Sequence, residues 1–197
     1  MKQAKISENQ IVADVLSKAF EENQSVNYVV RQDRKRVLRI RRLMEYSYNI
    51  CKAFGKIWIS EDGCGCELVL LPDKKRNSIH TISWDIKLAL TAIGIDRIGA
   101  ALEREKRIKA FHPKGSYCYL WFIGVRPSHQ FKGIGSDLLT KIAGACEIEN
   151  GSIYLETSVE SNLAWYQKFG FEIFHKLDLG YTLYLLRRGA GVHHPGD

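Results

Sequence analysis

The stretch Leu120-Trp121-Phe122-Ile123-Gly124-Val125-Arg126-Pro127-Ser128-His129-Gln130-Phe131-Lys132-Gly133-Ile134-Gly135-Ser136-Asp137-Leu138-Leu139 decides how this chain is read. It opens as an unbroken apolar run, the pattern of a strand buried on both faces. It turns at Arg126–His129 and enters a helix whose first turn carries Gly133 and Gly135. The first amides of a helix have no carbonyl of their own helix to bond, and the dipole there favours negative charge. Glycine lets backbone approach a ligand closely. Strand, glycine-bearing turn and helix start therefore make a place to hold an anion, with Lys132 as an added cation. No Gly-Lys-Ser/Thr triplet stands where a nucleoside-triphosphate loop needs one. The third glycine of a dinucleotide fingerprint is also missing. Taken alone, Gly133-x-Gly135 fits a plain strand-to-helix packing contact equally well.

Bulk properties narrow the setting. A chain of 197 residues is long enough for one domain with a substantial core. Apolar residues at 45% and charged residues at 26% are ordinary for a globular protein. The net charge of +7 suits an acidic ligand such as a nucleotide or phosphate, and also plain solubility. Cys51, Cys64, Cys66, Cys118 and Cys146 are odd in number and scattered, so no disulfide framework is implied and a reducing cytoplasm is expected. Met1–Lys5 lead into a polar amphipathic stretch, not an apolar signal core. No apolar run reaches the roughly 18 residues of a membrane span.

Working outward toward the N-terminus, residues 7–22 read as a helix, with Ser7 and Gln10 as a capping box. Tyr28-Val29-Val30 is an apolar patch in a connection. Residues 31–54 read as a longer helix with Val37, Ile40, Met44, Tyr48 and Cys51 on one face. Arginines crowd its first half; they read as a solvated face, with an acidic or nucleic-acid surface as the other option. Residues 56–60 and 67–71 read as a hairpin around Glu61–Gly65. Cys64 and Cys66 are too close for a zinc pair. Residues 80–110 read as two helices broken near Gly94, the first with a stripe of Ile82, Ile86, Leu90 and Ile93. Trp84 reads as a core residue.

Toward the C-terminus, residues 133–147 form the helix of the opening stretch, 152–157 a strand and 160–169 a short helix closed by Gly170. Residues 171–176 and 181–186 are closing strands. Residues 1–188 read as one domain and 189–197 as a flexible tail. Strand-helix-strand from 117 to 157 requires a right-handed crossover and parallel neighbours. The expected fold is a mixed α/β sheet of about six strands with helices on both faces.

Two motifs, in order and at a fixed separation, carry a resemblance. The first is Val125-Arg126-Pro127 followed by Gln130-Phe131-Lys132-Gly133-Ile134-Gly135. The second is Asn162, Tyr166 four residues on, and Gly170-Phe171. Over residues 117–186 the chain resembles the GNAT superfamily of acyl-CoA N-acyltransferases. Its His129–Ser136 segment, with Leu155-Glu156-Thr157-Ser158, is similar to the small-molecule branch that includes puromycin N-acetyltransferase.

The resemblance implies a mostly antiparallel sheet with a central parallel pair that splays near Gly124. It implies that Ile123, Gly124 and Val125 offer backbone groups to the pantetheine arm of acetyl-CoA. The amides of Gln130, Phe131, Lys132, Gly133, Ile134, Gly135 and Ser136 would hold the pyrophosphate, and Asn162 would bond the arm or a nearby water. Tyr166 would protonate the leaving thiolate. Phe131 departs from the glycine often found at its position, and its ring is expected to press on the cofactor or the solvent edge. Glu156, at a strand end beside the slot, reads as a base or as a salt-bridged carboxylate. Cys118 reads as inert. His112, His129 and His175 lack metal spacing, and no metal is expected.

The function expected is N-acetyl transfer to a primary amine of a small molecule. A non-catalytic acyl-CoA sensor and a protein or peptide N-acetyltransferase are the alternatives. Neither nucleic acid nor membrane is expected as a partner, and a monomer or homodimer is.

Overall fold

The computed structural model describes residues 2–3 and 8–189. The strands are β1 (Lys2–Gln3), β2 (Gly55–Ile59), β3 (Gly65–Leu70), β4 (Cys118–Val125), β5 (Ser152–Thr157), β6 (Glu172–Asp178) and β7 (Thr182–Gly189). They form one sheet in the order β1-β2-β3-β4-β5-β7-β6, in which only β4 and β5 run parallel. The expected six strands are present, and the two-residue β1 adds an edge beside β2.

Helices cover both faces. On the first face lie α1 (Asn9–Ala19) and α3 (Arg36–Phe54). Val12, Val15 and Leu16 of α1 and Ile40, Met44 and Tyr48 of α3 close over Ile57, Leu68 and Phe122. Further along this face, α5 (Ile98–Lys109) sets Ile108 against Leu177, Leu183 and Leu185. The second face carries α6 (Ile134–Asn150) and α7 (Leu163–Lys168). Leu139, Ile142 and Tyr166 pack there on Leu120, Ile153, Leu155 and Leu186.

Two irregularities in β4 shape its middle. Leu68 pairs with Phe122 but Val69 pairs with Leu120, so Trp121 is an extra residue and β4 is bulged there. The bulge resets the alternation. Cys118 and Leu120 join the α6 cluster, whereas Phe122 joins the α1 cluster. Second, β4 pairs with β5 only at Cys118↔Ile153 and Tyr119↔Tyr154, although β4 continues to Val125 and β5 to Thr157. The two strands therefore diverge and leave a gap whose β4 edge runs from Leu120 to Val125.

Several sequence expectations change. The patch at Tyr28–Val30 belongs largely to a helix, α2 (Gln24–Val29), which Asn23 caps by accepting the Val26 amide at 3.0 Å. The proposed cap Ser7 lies outside the described residues. In α4 (Ile79–Leu88), started by a Ser78–Thr81 capping box, Trp84 packs on the core as expected. Of the expected stripe, Ile82 and Ile86 on this helix and Leu90 in the turn after it face outward, 53%, 55% and 57% exposed, and Ile93 is half-buried. Gly189, expected to open the tail, is the last residue of β7, behind Arg187, which pairs with Glu172 at 2.7 Å, and the buried Arg188; residues 190–197 lie outside the described residues. Cys118 and Cys146 are joined in a disulfide, because the crossover from β4 to α6 brings their Cα atoms to 6.1 Å. That pairing was invisible from an odd set of scattered cysteines.

The arginines of 31–42 are largely spent within the fold. Arg36 pairs with Glu22, Arg39 with Asp33, Arg41 and Arg42 with Glu45, and Arg31 with Asp96. A solvated, internally paired face describes them.

Candidate active site

Gly133 caps α6 in the left-handed region at φ +85°. The first bond of the helix runs from the Asp137 amide to the Gly133 carbonyl at 3.0 Å. The amides of Ile134, Gly135 and Ser136 thus have no carbonyl of their own helix, which is the arrangement that holds an anion. Phe131 is also left-handed, at φ +61°, and its side chain is fully exposed. The glycine often found there is explained by that backbone angle, and the phenyl ring lies at the solvent edge.

Neighbours brace the loop. The Gln130 side-chain amide donates to the Val125 carbonyl at 3.3 Å. Trp165 of α7 donates its indole N–H to Ser136 Oγ at 3.2 Å. A Cβ at Gly135 would meet Trp165 at 3.6 Å and Val125 at 3.7 Å, ordinary contact distances, so packing against these side chains does not by itself require glycine there. Arg126 reaches back to Asp14 of α1 at 2.7 Å. A depression beside the loop is lined by Glu61, Asp62, Asp137 and Lys141. Its carboxylates outnumber its one cation, so it does not suit phosphate, and the anion site is the helix start itself.

At the gap, the Arg126 amide donates across to the Cys64 carbonyl of the β3 side at 2.8 Å. Successive strand amides point to opposite edges, so the Val125 amide, like that of Ile123, faces the gap. Gly124 serves α1 on the other side: a Cβ there would sit 2.9 Å from Leu16 and 3.0 Å from Ala19.

Tyr166 is buried on the α6 face against Trp165, ring centroids 4.8 Å apart, and Phe171, 5.8 Å apart. Burial pushes its phenol well above the ordinary tyrosine range. It stays protonated through any working pH. Asn162 stands at the start of α7, half-buried, and its side chain does not cap that helix.

Glu156 lies on the opposite face of the sheet, and it is not alone. One oxygen shares a hydrogen bond with His112 Nε2 at 2.6 Å, and the other accepts from the Tyr119 hydroxyl at 2.5 Å. The Tyr117 hydroxyl meets His112 Nδ1 at 3.0 Å. The His112 and Glu156 side chains are only 9% and 8% exposed. Burial first, then the charge of Glu156, pushes the Tyr119 phenol well up. The same causes, burial first and then Glu156, push Tyr117 up to about 12.

A row of rings continues from this cluster along the same face. Tyr119 stacks with Trp121 at 6.3 Å, and Trp121 meets Tyr46 at 6.1 Å. The Tyr46 hydroxyl donates to Asp85 at 2.6 Å. Sequence reasoning found Glu156 but missed His112, Tyr117 and Tyr119. The readable signal was alternation: Tyr117 just before β4 and Tyr119 on it, Tyr154 and Glu156 on its parallel neighbour. His112 carried no signal, because it precedes β4 in a loop.

Residues 94–173 match the family model described as an acetyltransferase (GNAT) domain. The fold is similar to the structure described as histone acetyltransferase HPA2 and related acetyltransferase from Corynebacterium glutamicum, with a TM-score of 0.68 and 19% identity over 98% of this chain and 96% of that one. It is also similar to arylalkylamine N-acetyltransferase 2 from Aedes aegypti, with a TM-score of 0.62 and 14% identity over 96% and 98%. A third similar structure is the PaiA N-acetyltransferase from Thermoplasma acidophilum in complex with coenzyme A, with a TM-score of 0.56 and 11% identity over 95% and 96%. The splayed parallel pair and the helix start beside it both lie within the segment that matches the acetyltransferase (GNAT) domain model, and the whole fold is similar to those of the acetyltransferase structures.

Proposed function

We propose that this protein moves the acetyl group of acetyl-CoA to the primary amine of a small cationic molecule by direct attack. The observation that supports it most is the gap between β4 and β5. An anion-binding helix start flanks it on one face, and a buried carboxylate with its partners stands on the other.

In this reading the amides of residues 130–136 take the pyrophosphate and Lys132 adds charge. The pantetheine arm lies along the free edge at Ile123, Gly124 and Val125, with Asn162 beside it. The amine enters from the Glu156 face, its nitrogen attacks the thioester carbonyl, and its proton passes to Glu156. The Val125 amide, facing the gap, stabilises the oxyanion; one such donor is worth about 10²–10³ in rate. The C–S bond then breaks and the sulfur leaves under a hydrogen bond from Tyr166. A positioned base contributes about 10²–10⁴.

A cationic acceptor suits the approach. Asp85 and Glu105 lie beside a half-buried run of rings, Tyr46, Trp121 and Tyr119. Carboxylates hold an ammonium group, and aromatic faces attract cations and cover apolar bodies. The similar protein from Aedes aegypti is named for arylalkylamines, which have this chemistry.

The test is acetyl-CoA titration by calorimetry, joined to a CoA-release screen over arylalkylamines, polyamines, aminoglycosides and peptide N-termini. Binding, with turnover greatest among small cationic amines, is expected. No binding of acetyl-CoA or CoA would sink the reading, and turnover confined to peptides would move the acceptor assignment.

A further inference from the structure

We propose that Arg104 reads a carboxylate on the acceptor, which makes the acceptor a basic amino acid acetylated on its α-amine. The inference rests on the acetyltransferase reading and names the class of amine it takes.

Arg104 is built into the amine side of the gap. Its Nε donates to the hydroxyl of Tyr181, in the turn between β6 and β7, at 3.0 Å. Its Nη2 donates to Ser25 Oγ of α2. The Ser25 amide in turn donates at 3.4 Å to Ser158 Oγ, two residues beyond Glu156. Tyr28 of α2 packs its ring on Tyr181, centroids 5.5 Å apart. The helices α2 and α5 and the β6–β7 turn thus meet over the end of β5, and the guanidinium joins them. Glu156 and Tyr119 both lie within its electrostatic reach.

Its bonding is incomplete. A guanidinium has five N–H donors, and two of them are engaged here. Among the described residues Nη1 bonds nothing, and it is not sealed from solvent. Arg104 is half-buried, yet among the described residues no carboxylate pairs with it. Glu105, next to it on α5, is taken by Lys109 at 3.1 Å. By contrast Arg36, Arg39, Arg41 and Arg42 of α3 each have a carboxylate partner. A partly desolvated cation without a partner carries a cost that an arriving anion removes. Tyr181 and Ser25 hold the side chain in place beforehand, so little rotamer entropy is lost on binding. A planar fork held still suits a carboxylate.

The two charges beside the gap order the ligand. In the proposed mechanism the acceptor's ammonium meets Glu156, and its carboxylate then meets Arg104, each across a hydrogen bond of about 2.9 Å. An α-amino acid carries both groups on one carbon and satisfies both ends. A plain amine leaves the guanidinium unpaired, and sites reject most strongly the analogue that leaves their polar groups unpaired. From that carbon the side chain runs along Tyr119 and Trp121, whose faces attract a cation. A basic side chain keeps the acceptor's net charge positive.

The deciding experiment is a CoA-release assay on arginine, argininamide and agmatine, which differ only at the carboxylate, with lysine and cadaverine as a second pair. In the parent, kcat/KM for arginine should exceed that for agmatine about 10- to 100-fold, with the amide close to agmatine. Arg104→Gln should bring the arginine-to-agmatine ratio within about threefold of one by losing arginine turnover, while agmatine turnover and acetyl-CoA affinity change by less than about threefold. Arg104→Lys, which keeps the charge without the fork, should restore part of the ratio. A residue that only staples α5 to α2 lowers both acceptors alike, so an unchanged ratio in Arg104→Gln overturns the assignment. Equal turnover of the three acceptors by the parent overturns it too, and needs no variant that might misfold. Calorimetry of the same three molecules into CoA-saturated parent separates this inference from the one beneath it. Arginine should bind about 10- to 100-fold more tightly than agmatine. That preference without CoA release from any acceptor sinks the acetyltransferase reading and supports the Arg104 subsite; equal Kd values sink the subsite.

Discussion

At the scale of single residues, Glu67 is the sharpest case. It lies in the middle of β3, fully buried, and neither carboxylate oxygen has a hydrogen-bond partner. Burial raises its pKa well above the ordinary glutamate value of 4.5. The folded state therefore holds a proton that the unfolded chain releases above about pH 4.5. Stability contributed this way is complete below that pH and declines as pH rises toward the folded pKa. Glu67→Gln removes the titration while keeping the shape. Its urea midpoint, followed from pH 4 to pH 9, should fall less steeply with pH than the parent's and exceed it at neutral pH. Parallel curves would mean that Glu67 has a charge partner in solution. The sequence showed only an apolar-flanked glutamate in a strand; nothing in its neighbours told on which face it was buried.

At the scale of elements, the strand-turn-helix from Cys118 to Asn150 was legible because its two periodicities, glycine spacing and Val-x-Pro turn all sit within one local stretch. Local patterns report local structure. The short α2 was not legible, since six residues make too little periodicity to separate from a loop. The outward stripe of α4 misled for a related reason: periodicity identifies a face but not what it faces. The start of α6 yields a direct prediction. Gly133 sits at φ +85° with open space around its Cβ position, so an added methyl meets no clash but must adopt a left-handed backbone. That costs an L-residue about 1–2 kcal/mol, or roughly 2–8 °C in Tm for a chain of this size. Gly133→Ala should melt lower by that amount. It should also bind CoA about tenfold more weakly, as the helix-start amides turn away from the pyrophosphate. A normal Kd with a lowered Tm would separate the glycine's folding role from its binding role.

At the scale of the whole molecule, the sheet divides the two proton events of the proposed mechanism. Glu156 and His112 sit on the face carrying α5; Tyr166 sits on the face carrying α6; and the gap between β4 and β5 is where the two faces communicate. Sequence motifs supplied one residue from each face, but the partition is a property of the sheet. It depends on β4 and β5 ending their pairing after two positions and on the bulge at Trp121 redirecting side chains beyond it. This separation makes the two roles distinguishable by experiment. Tyr166→Phe removes one hydroxyl and keeps the ring against Trp165 and Phe171, so acetyl-CoA affinity should stay within about twofold. A hydrogen bond to a charged sulfur is worth about 1.5–3 kcal/mol, so kcat should drop roughly 10- to 150-fold. The buried phenol stays protonated far above neutral pH, so it contributes no alkaline limb below about pH 10. The variant's pH–rate profile should therefore keep the parent's shape at a lower height. If Tyr166→Phe instead shifts a limb, the phenol is part of the same proton path as Glu156, and the sheet does not keep the two events apart; an unchanged kcat would remove the sulfur-side role altogether.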